Sequence, residues 1–283
     1  MDNQLGIAII GAGVMGEAFV AGLLRNQLVV SSCIFVSEPR EQRREILKSR
    51  YDVLTFAENK DAVADADVVI LSVKPQHLER VLESLKGQIK PDALVLSIVA
   101  GATIDQISQG IEHSSVVRVM PNTPAQIGEG ISVWTVSPSV NDVQREQARQ
   151  ILSAFGSEVF MEEEYFLDMA TALSGTGPAY AFLFMEALID AGVHMGFPRY
   201  IAEKLVIQTV KGSVDYYAMK KDHPAALRNE VTSPGGTTAA ALYYLEKAGF
   251  RTAISRAIWA AYERSQELGK GRKSQPPDKN GHS

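Results

Sequence analysis

Leu5-Gly6-Ile7-Ala8-Ile9-Ile10-Gly11-Ala12-Gly13-Val14-Met15-Gly16 is the stretch that decides the fold. Its first half is a short apolar run that reads as a buried strand. A G-x-G-x-x-G turn follows at once, and residues 17–24 carry the pattern of a packed helix. In that setting each glycine has a separate task. Gly11 permits the tight turn, Gly13 lets a pyrophosphate approach the backbone, and Gly16 lets helix lie close on strand. The amides of the new helix N-terminus point outward, where they suit an anion. The stretch therefore reads as a dinucleotide site. The plain alternative is a glycine-rich turn in some other α/β fold.

Working outward, apolar runs alternate with helical patterns. Strands are expected at 33–37, 52–56, 67–73, 93–99 and 116–119, with helices over 40–50 and 76–85. Val68-Val69-Ile70-Leu71 is continuously apolar, as in a strand covered on both faces. The order argues for a doubly wound parallel sheet of Rossmann type, clad in helices. Runs at 131–136 and 158–160 extend it, separated by a polar helix over 140–155. Beyond residue 164 the strand pattern stops. Helices are expected over 178–195, 198–219, 224–230, 238–248 and 251–268, with Pro198 in a first turn. Ala181-Phe182-Leu183-Phe184-Met185 is apolar around most of a helix and needs burial on most sides. So small a helical half cannot supply that burial alone, so we expect a subunit interface; a self-contained helical core is the alternative. Residues 269–283, rich in Lys, Pro and Gly, read as a disordered tail. The chain thus divides into an N-terminal α/β domain (1–164), a C-terminal all-helical domain (165–268) and the tail.

Bulk properties narrow the function. The 283 residues are 46% hydrophobic with a formal charge of −5, which gives no electrostatic footprint for nucleic acid or an anionic membrane. The single cysteine, Cys33, excludes an intramolecular disulfide framework and a thiolate zinc site, and fits a cytoplasmic location. Asp2-Asn3-Gln4 leads straight into the first strand, so no secretory signal is read there. Polar residues interrupt the longest apolar runs, so no transmembrane helix is expected. The five histidines are scattered, and no metal site is expected.

Ligands of doubly wound sheets bind beyond the carboxyl ends of the strands. After the second strand comes Ser37-Glu38-Pro39-Arg40. Glu38 lies where a carboxylate can hold the ribose 2′-hydroxyl of NAD, whereas a guanidinium from Arg40, Arg43 or Arg44 can hold the 2′-phosphate of NADP. A solvated helix face is the competing reading for the arginines. After the fourth strand Ser72-Val73-Lys74-Pro75-Gln76 leaves Lys74 at the mouth of the crevice, and Ala100-Gly101-Ala102 follows the fifth. Met120-Pro121-Asn122-Thr123-Pro124 and Ser174-Gly175-Thr176-Gly177-Pro178-Ala179-Tyr180 add two more rigid loops.

Far downstream, Val231-Thr232-Ser233-Pro234-Gly235-Gly236-Thr237-Thr238 forms a tight turn that opens directly into an apolar helix. Its amides and glycines suit a substrate carboxylate. For Thr238 the competing role is simple helix capping.

These motifs, in this order and spacing over residues 5–268, resemble the pyrroline-5-carboxylate reductases. The resemblance implies a C-terminal helical dimerisation domain, dimers that often assemble further into decamers, and the last step of proline biosynthesis. It implies that Gly11, Ala12, Gly13, Val14 and Met15, with Gly16 closing the turn, hold the pyrophosphate. Ser37 and Glu38 would meet the adenosine ribose and Asn59 the adenosine end. Val73, Lys74, Pro75 and Ala100 would line the way to the nicotinamide. Glu164, Ser233, Gly236, Thr237 and Thr238 would bind the substrate. Glu38 stands where some members carry a small hydroxyl residue, and Glu230 where an amide is common, so Glu230 is assigned no contact. NADPH is the expected cofactor, with NADH possible.

The expected chemistry is hydride transfer to a cyclic imine bearing a carboxylate. The amides of Gly236 and Thr237, with the Ser233 hydroxyl, would grip the carboxylate. The Thr238 hydroxyl, too weak an acid to be a free proton source, would orient the ring nitrogen or relay a proton from water. Two rivals remain at this stage: a β-hydroxyacid dehydrogenase, which wants a general base such as Lys204 or Lys211, and a dinucleotide sensor without turnover.

Overall fold

The computed structural model describes residues 4–269. Eight strands form one sheet: β1 (Ile7–Ile10), β2 (Ile34–Ser37), β3 (Leu54–Phe56), β4 (Val68–Leu71), β5 (Leu94–Ser97), β6 (Val116–Met120), β7 (Gly130–Val136) and β8 (Gly156–Phe160). Their order is β3-β2-β1-β4-β5-β6-β7-β8. Every neighbouring pair is parallel except β6 and β7. That exception departs from the all-parallel expectation and follows from connection length. Only residues 121–129 join β6 to β7, fewer than the roughly dozen that a parallel crossover needs.

The helices of the sheet region are α1 (Val14–Arg25), α2 (Glu41–Tyr51), α3 (Asn59–Val63), α4 (Leu78–Leu85), α5 (Ile104–Ile111), α6 (Asp142–Ser153) and α7 (Phe166–Ala170). Residues of β1 alternate between two apolar layers, as the strand period requires. Ile7 and Ile9 pack with Phe19, Val20 and Leu23 of α1. Ala8 and Ile10 pack on the other face with Leu82 and Leu85 of α4 and Ile107 of α5. Both faces of β1 are buried, as expected of a strand in a parallel sheet covered by helices on two sides.

The helical region comprises α8 (Gly177–His194), α9 (Arg199–Lys220), α10 (Pro224–Glu230), α11 (Thr237–Lys247) and α12 (Phe250–Gly269). Pro198 is the N-cap of α9 rather than a first-turn residue, with ψ of 140°. In the α8–α9 pair, a methyl group at Gly192 would come 3.1 Å from the Ala202 Cβ, so a small residue there permits close approach. α8 leaves Phe182, Leu183 and Leu188 exposed. The tail expected from residue 269 lies, from residue 270 onward, outside the described residues.

By packing, the chain divides into one unit reaching to Thr176 and rejoined from Ala261, and a second unit over Gly177–Ala260. The first unit thus runs past the expected boundary at 164. It does so because the Asn122 amide donates to the Ser174 carbonyl (3.2 Å) and Asp168 is bound by Arg118 of β6. The end of α12 joins it through the Ser265 hydroxyl, which donates to Asp168 Oδ1 at 2.9 Å.

A further sequence expectation is corrected. A π-helical turn, Thr171–Gly175, joins α7 to α8 where a rigid loop was expected. The resulting run Phe166–His194 holds an 18-residue window with a mean hydropathy of 1.2 and is long and apolar enough, by length and composition only, to cross a membrane.

Candidate active site

The carboxyl ends of β2, β1, β4 and β5 lie side by side, and the strand order reverses between β1 and β4. That is the switch point at which this architecture binds its ligand. The three glycines of the turn there are distinct in physical terms. Gly11 has φ of +95°, and a methyl group on it would come 2.7 Å from Val73 Cγ1. Gly16 is packed against the Gly11 carbonyl and has no room for a side chain. Gly13 has φ of −70° and nothing within 4 Å of where a Cβ would stand. It caps α1 without any side-chain cap bond, and beside it Val14 is 61% exposed. Open space over an uncapped helix N-terminus is what a pyrophosphate needs.

The turn is held from three sides. Ser72, at the end of β4, donates its hydroxyl to the Gly11 carbonyl at 2.6 Å. The Gly11 amide donates to the Ser37 carbonyl at 2.9 Å. Arg43 Nε donates to the Ala12 carbonyl at 2.9 Å, and the same guanidinium pairs with Glu17. Sequence reasoning assigned no role to Ser72, although it quoted the residue within the β4 motif.

At the end of β2 the structure brings together Ser37, Glu38, Arg40 and Asn59. The Ser37 hydroxyl donates to Asn59 Oδ1 (2.7 Å), and Asn59 Nδ2 donates to Ser84 (2.8 Å). Glu38 is 4% exposed and accepts from the amide of Ala12 (3.3 Å) and from Arg40 Nε (2.7 Å). The three arginines divide their work. Arg43 locks the glycine turn, and Arg44 donates to the carbonyls of Glu38 and Pro39. Neither fits the solvated-face reading. Arg40 has a largely exposed side chain, so of the three it is the one placed to meet a phosphate.

Burial alone would raise the Glu38 carboxyl, but the Arg40 guanidinium, the Arg40 amide and the Ala12 amide outweigh it and hold the group below its ordinary value. A carboxyl lowered in the folded state contributes stability above its unfolded pKa, and this is lost as pH falls through the folded value. The stability gap between wild type and Glu38→Gln in urea unfolding is therefore widest at neutral pH. It narrows below about pH 4.3, the ordinary glutamate value. A gap independent of pH would contradict this.

Val73, Lys74 and Pro75 follow β4. Val73 is half-buried and Lys74 is exposed, as the residue that caps the short turn Pro75–His77. Ala100 lies in the loop after β5, beside Gly101 with φ of +76°. Glu164 does not stand as a free carboxylate. Its Oε1 accepts from Arg118 Nη1 and from the Ile104 amide, both at 2.9 Å. Sequence reasoning missed Arg118, which sits on β6 and is 5% exposed.

In the second unit, the 233–238 turn feeds α11. Gly236 is the N-cap, with no side-chain cap bond, so Thr238 does not cap the helix. Gly235 has φ of +73°, and a side chain on Gly236 would strike the Ser233 hydroxyl at 2.5 Å. The Gly236 amide itself donates to the Ser233 carbonyl at 3.0 Å, so it is not the carboxylate donor expected from sequence. The first backbone bond of the helix runs from Ala240 to Gly236. The amides of Thr237, Thr238 and Ala239 precede it, and these are the outward donors. Glu230, left unassigned, accepts from the Tyr216 hydroxyl at 3.2 Å. Among the described residues no group of three or more His, Cys, Asp or Glu side chains could hold a metal ion.

Comparison with known proteins places this geometry. Residues 164–268 match the family described as pyrroline-5-carboxylate reductase dimerisation, and residues 6–101 match NADP oxidoreductase, coenzyme F420-dependent. The pyrroline-5-carboxylate reductase of Synechocystis is 45% identical over 95% of this chain and 100% of that protein. The crystal structure of Plasmodium falciparum pyrroline carboxylate reductase with NADP bound is similar with a TM-score of 0.87 and 32% identity, covering 94% of this chain and 99% of that one. The Coxiella burnetii pyrroline-5-carboxylate reductase is similar with a TM-score of 0.85 and 34% identity, covering 94% and 99%. With likeness at this level along nearly the whole of each chain, in the sheet and in the helical region alike, this chain belongs to the pyrroline-5-carboxylate reductase family.

Proposed function

We propose that this chain reduces 1-pyrroline-5-carboxylate to L-proline, with NADPH as the preferred reductant and NADH accepted. The observation that carries the reading is the full-length likeness to reductases of this substrate, one of them with NADP bound. The cofactor fits the residues present: Gly13 leaves open space at an uncapped helix N-terminus, and the exposed Arg40 guanidinium stands beside the Glu38 carboxylate at the end of β2. Gly11 to Gly16, Ser37, Glu38, Arg40 and Asn59 would hold it, with Val73, Lys74, Pro75 and Ala100 towards its nicotinamide. When bound, it supplies the hydride for the imine carbon. The ring nitrogen takes a proton, so substrate, NADPH and one proton give proline and NADP.

The chain's own contribution is grip and orientation. The Thr237 and Thr238 amides at the start of α11, with the Ser233 hydroxyl, would hold the substrate carboxylate. The Thr238 hydroxyl would hydrogen-bond the ring nitrogen and relay its proton from water. Glu164 would help shape the substrate end through Arg118 and Ile104. The test is loss of nicotinamide absorbance on adding pyrroline-5-carboxylate, with proline quantified. Equal cofactor loss and proline gain is expected, and no turnover from folded, NADPH-binding protein would overturn the reading in favour of a sensor.

Arg40→Ala separates the two readings of the β2 end. KM for NADPH rises about tenfold and KM for NADH stays nearly constant, because a charge-assisted contact to the 2′-phosphate is worth at least about that factor. Equal changes for both cofactors would contradict it.

The dimerisation match covers α8, whose exposed Phe182 and Leu183 would be buried by a second copy. Assembly of five such dimers into a decamer, and action in the cytoplasm, belong to the same proposal. Sedimentation of the purified protein tests the first.

A further inference from the structure

We propose that Arg118, Glu164, Asp168 and Ser265 form a clamp that positions the loop after β5, and that these are positioning residues for the nicotinamide end of the site. This rests on the reductase reading above. Arg118 reaches two carboxylates at once, Glu164 Oε1 and Asp168 Oδ1, each at 2.9 Å. Glu164 then holds the far end of the loop directly, and Asp168 holds α12. Glu164 Oε1 also accepts from the amide of Ile104, the first residue of α5, at 2.9 Å. Asp168 Oδ1 also accepts from the Ser265 hydroxyl on α12, at 2.9 Å, with Ser265 2% exposed.

One turn further along α12, the chain lies against the loop. A methyl group on Gly101 would come 2.8 Å from Leu268 Cβ and 3.0 Å from the Gly269 amide nitrogen. Gly101 also holds φ of +76°, which favours glycine. The loop 98–103 is thus fixed at its far end by Glu164 and in its middle by the end of α12, and one buried guanidinium ties both anchors together. Removing a single partner from such a buried network leaves the rest imperfectly satisfied. Ala100 immediately precedes the Gly101 anchor, in the loop at the strand end, the side on which this architecture binds its ligand.

The glycine turn makes no use of these residues; its supports are Ser72, Ser37 and Arg43. The clamp therefore affects where the reacting end sits and not how tightly the cofactor is held. In Ser265→Ala, kcat falls about tenfold while KM for NADPH stays within about twofold, since small misplacements near reacting atoms are costly. Hydrogen exchange of the 99–104 amides becomes faster by about tenfold or more, against little change in β1 and α1. Gly101→Ala, which presses on Leu268 from the other side, gives the same pattern. Unchanged exchange in the loop, or a uniform rise across the whole unit, overturns the clamp. Wild-type protein that shows loop protection but no turnover would sink the reductase reading alone, because the exchange comparison still decides the clamp.

Discussion

Thr238→Ala lowers kcat about a hundredfold while the protein unfolds at the wild-type temperature, because the hydroxyl acts on the substrate and not on the helix. The local geometry separates those two roles. Threonine at a helix start is ordinarily suspected of capping, and loss of a cap costs about 1 kcal/mol. Here Gly236 is the cap and no side chain completes it. Thr238 is the second residue of α11 and is half-buried. Its methyl and backbone survive in the valine variant, which should be as inactive as alanine, whereas Thr238→Ser keeps the hydroxyl and should retain most of the turnover. Folded Thr238→Ala with wild-type kcat would remove Thr238 from the chemistry and leave the amides of α11 as the whole of the substrate grip.

Gly13→Ala and Gly16→Ala, one methyl group each, should fail in opposite ways. Gly16 is packed on the Gly11 carbonyl and on Ser72 Oγ, the latter 2.9 Å from where a Cβ would stand. An alanine there forces α1 away from β1, overpacking that costs about 3 kcal/mol. For a unit of this size the corresponding fall in Tm is roughly 10 °C. Gly13 has ordinary backbone angles and empty space around it, so nothing in the free protein requires glycine there. Gly13→Ala should keep the wild-type Tm and lose about tenfold or more in NADPH affinity, because only an approaching pyrophosphate would meet the new methyl. Thermal unfolding and cofactor titration on both variants check the pair. Equal NADPH affinity in Gly13→Ala and wild type would contradict the placement of the pyrophosphate.

The elements legible in the sequence are those whose signal is local. Ile7–Ile10 and Val68–Leu71 are wholly apolar because both faces of the sheet are covered, and both are strands as expected. The glycine turn was legible because each glycine meets its constraint within a few residues or on the adjoining strand. α3 went unread because it has only five residues, and α5, Ile104–Ile111, because its eight residues are mostly short and polar between three isoleucines. The direction of β7 is not a property of its own sequence. The nine-residue connection before it carried that signal.

The candidate site divides in the same way. Glu38 is placed by its offset from the glycine turn, Arg40 by following the second strand, and Ser37 and Asn59 by the family resemblance; the structure pairs Ser37 with Asn59 and Glu38 with Arg40. The work of Arg43 was hidden, because Ala12 and Glu17, its partners, lie 31 and 26 residues away. Glu164 was read as a substrate group, while Arg118, its partner, lies 46 residues upstream with no pattern to connect them. The Gly236 amide was read as a donor because a glycine-rich helix start invites it, but the turn 233–236 closes on that amide first. Long-range ion pairs and the internal bonds of a turn are the parts that residue spacing does not show.

The most direct test of the reductase account is the fate of the transferred hydrogen. With NADPH deuterated at both C4 positions and pyrroline-5-carboxylate as substrate, mass spectrometry should find proline carrying one deuterium on the former imine carbon, in step with cofactor oxidised. Cofactor oxidation without deuterated proline, or none at all from folded protein that binds NADPH, would contradict it.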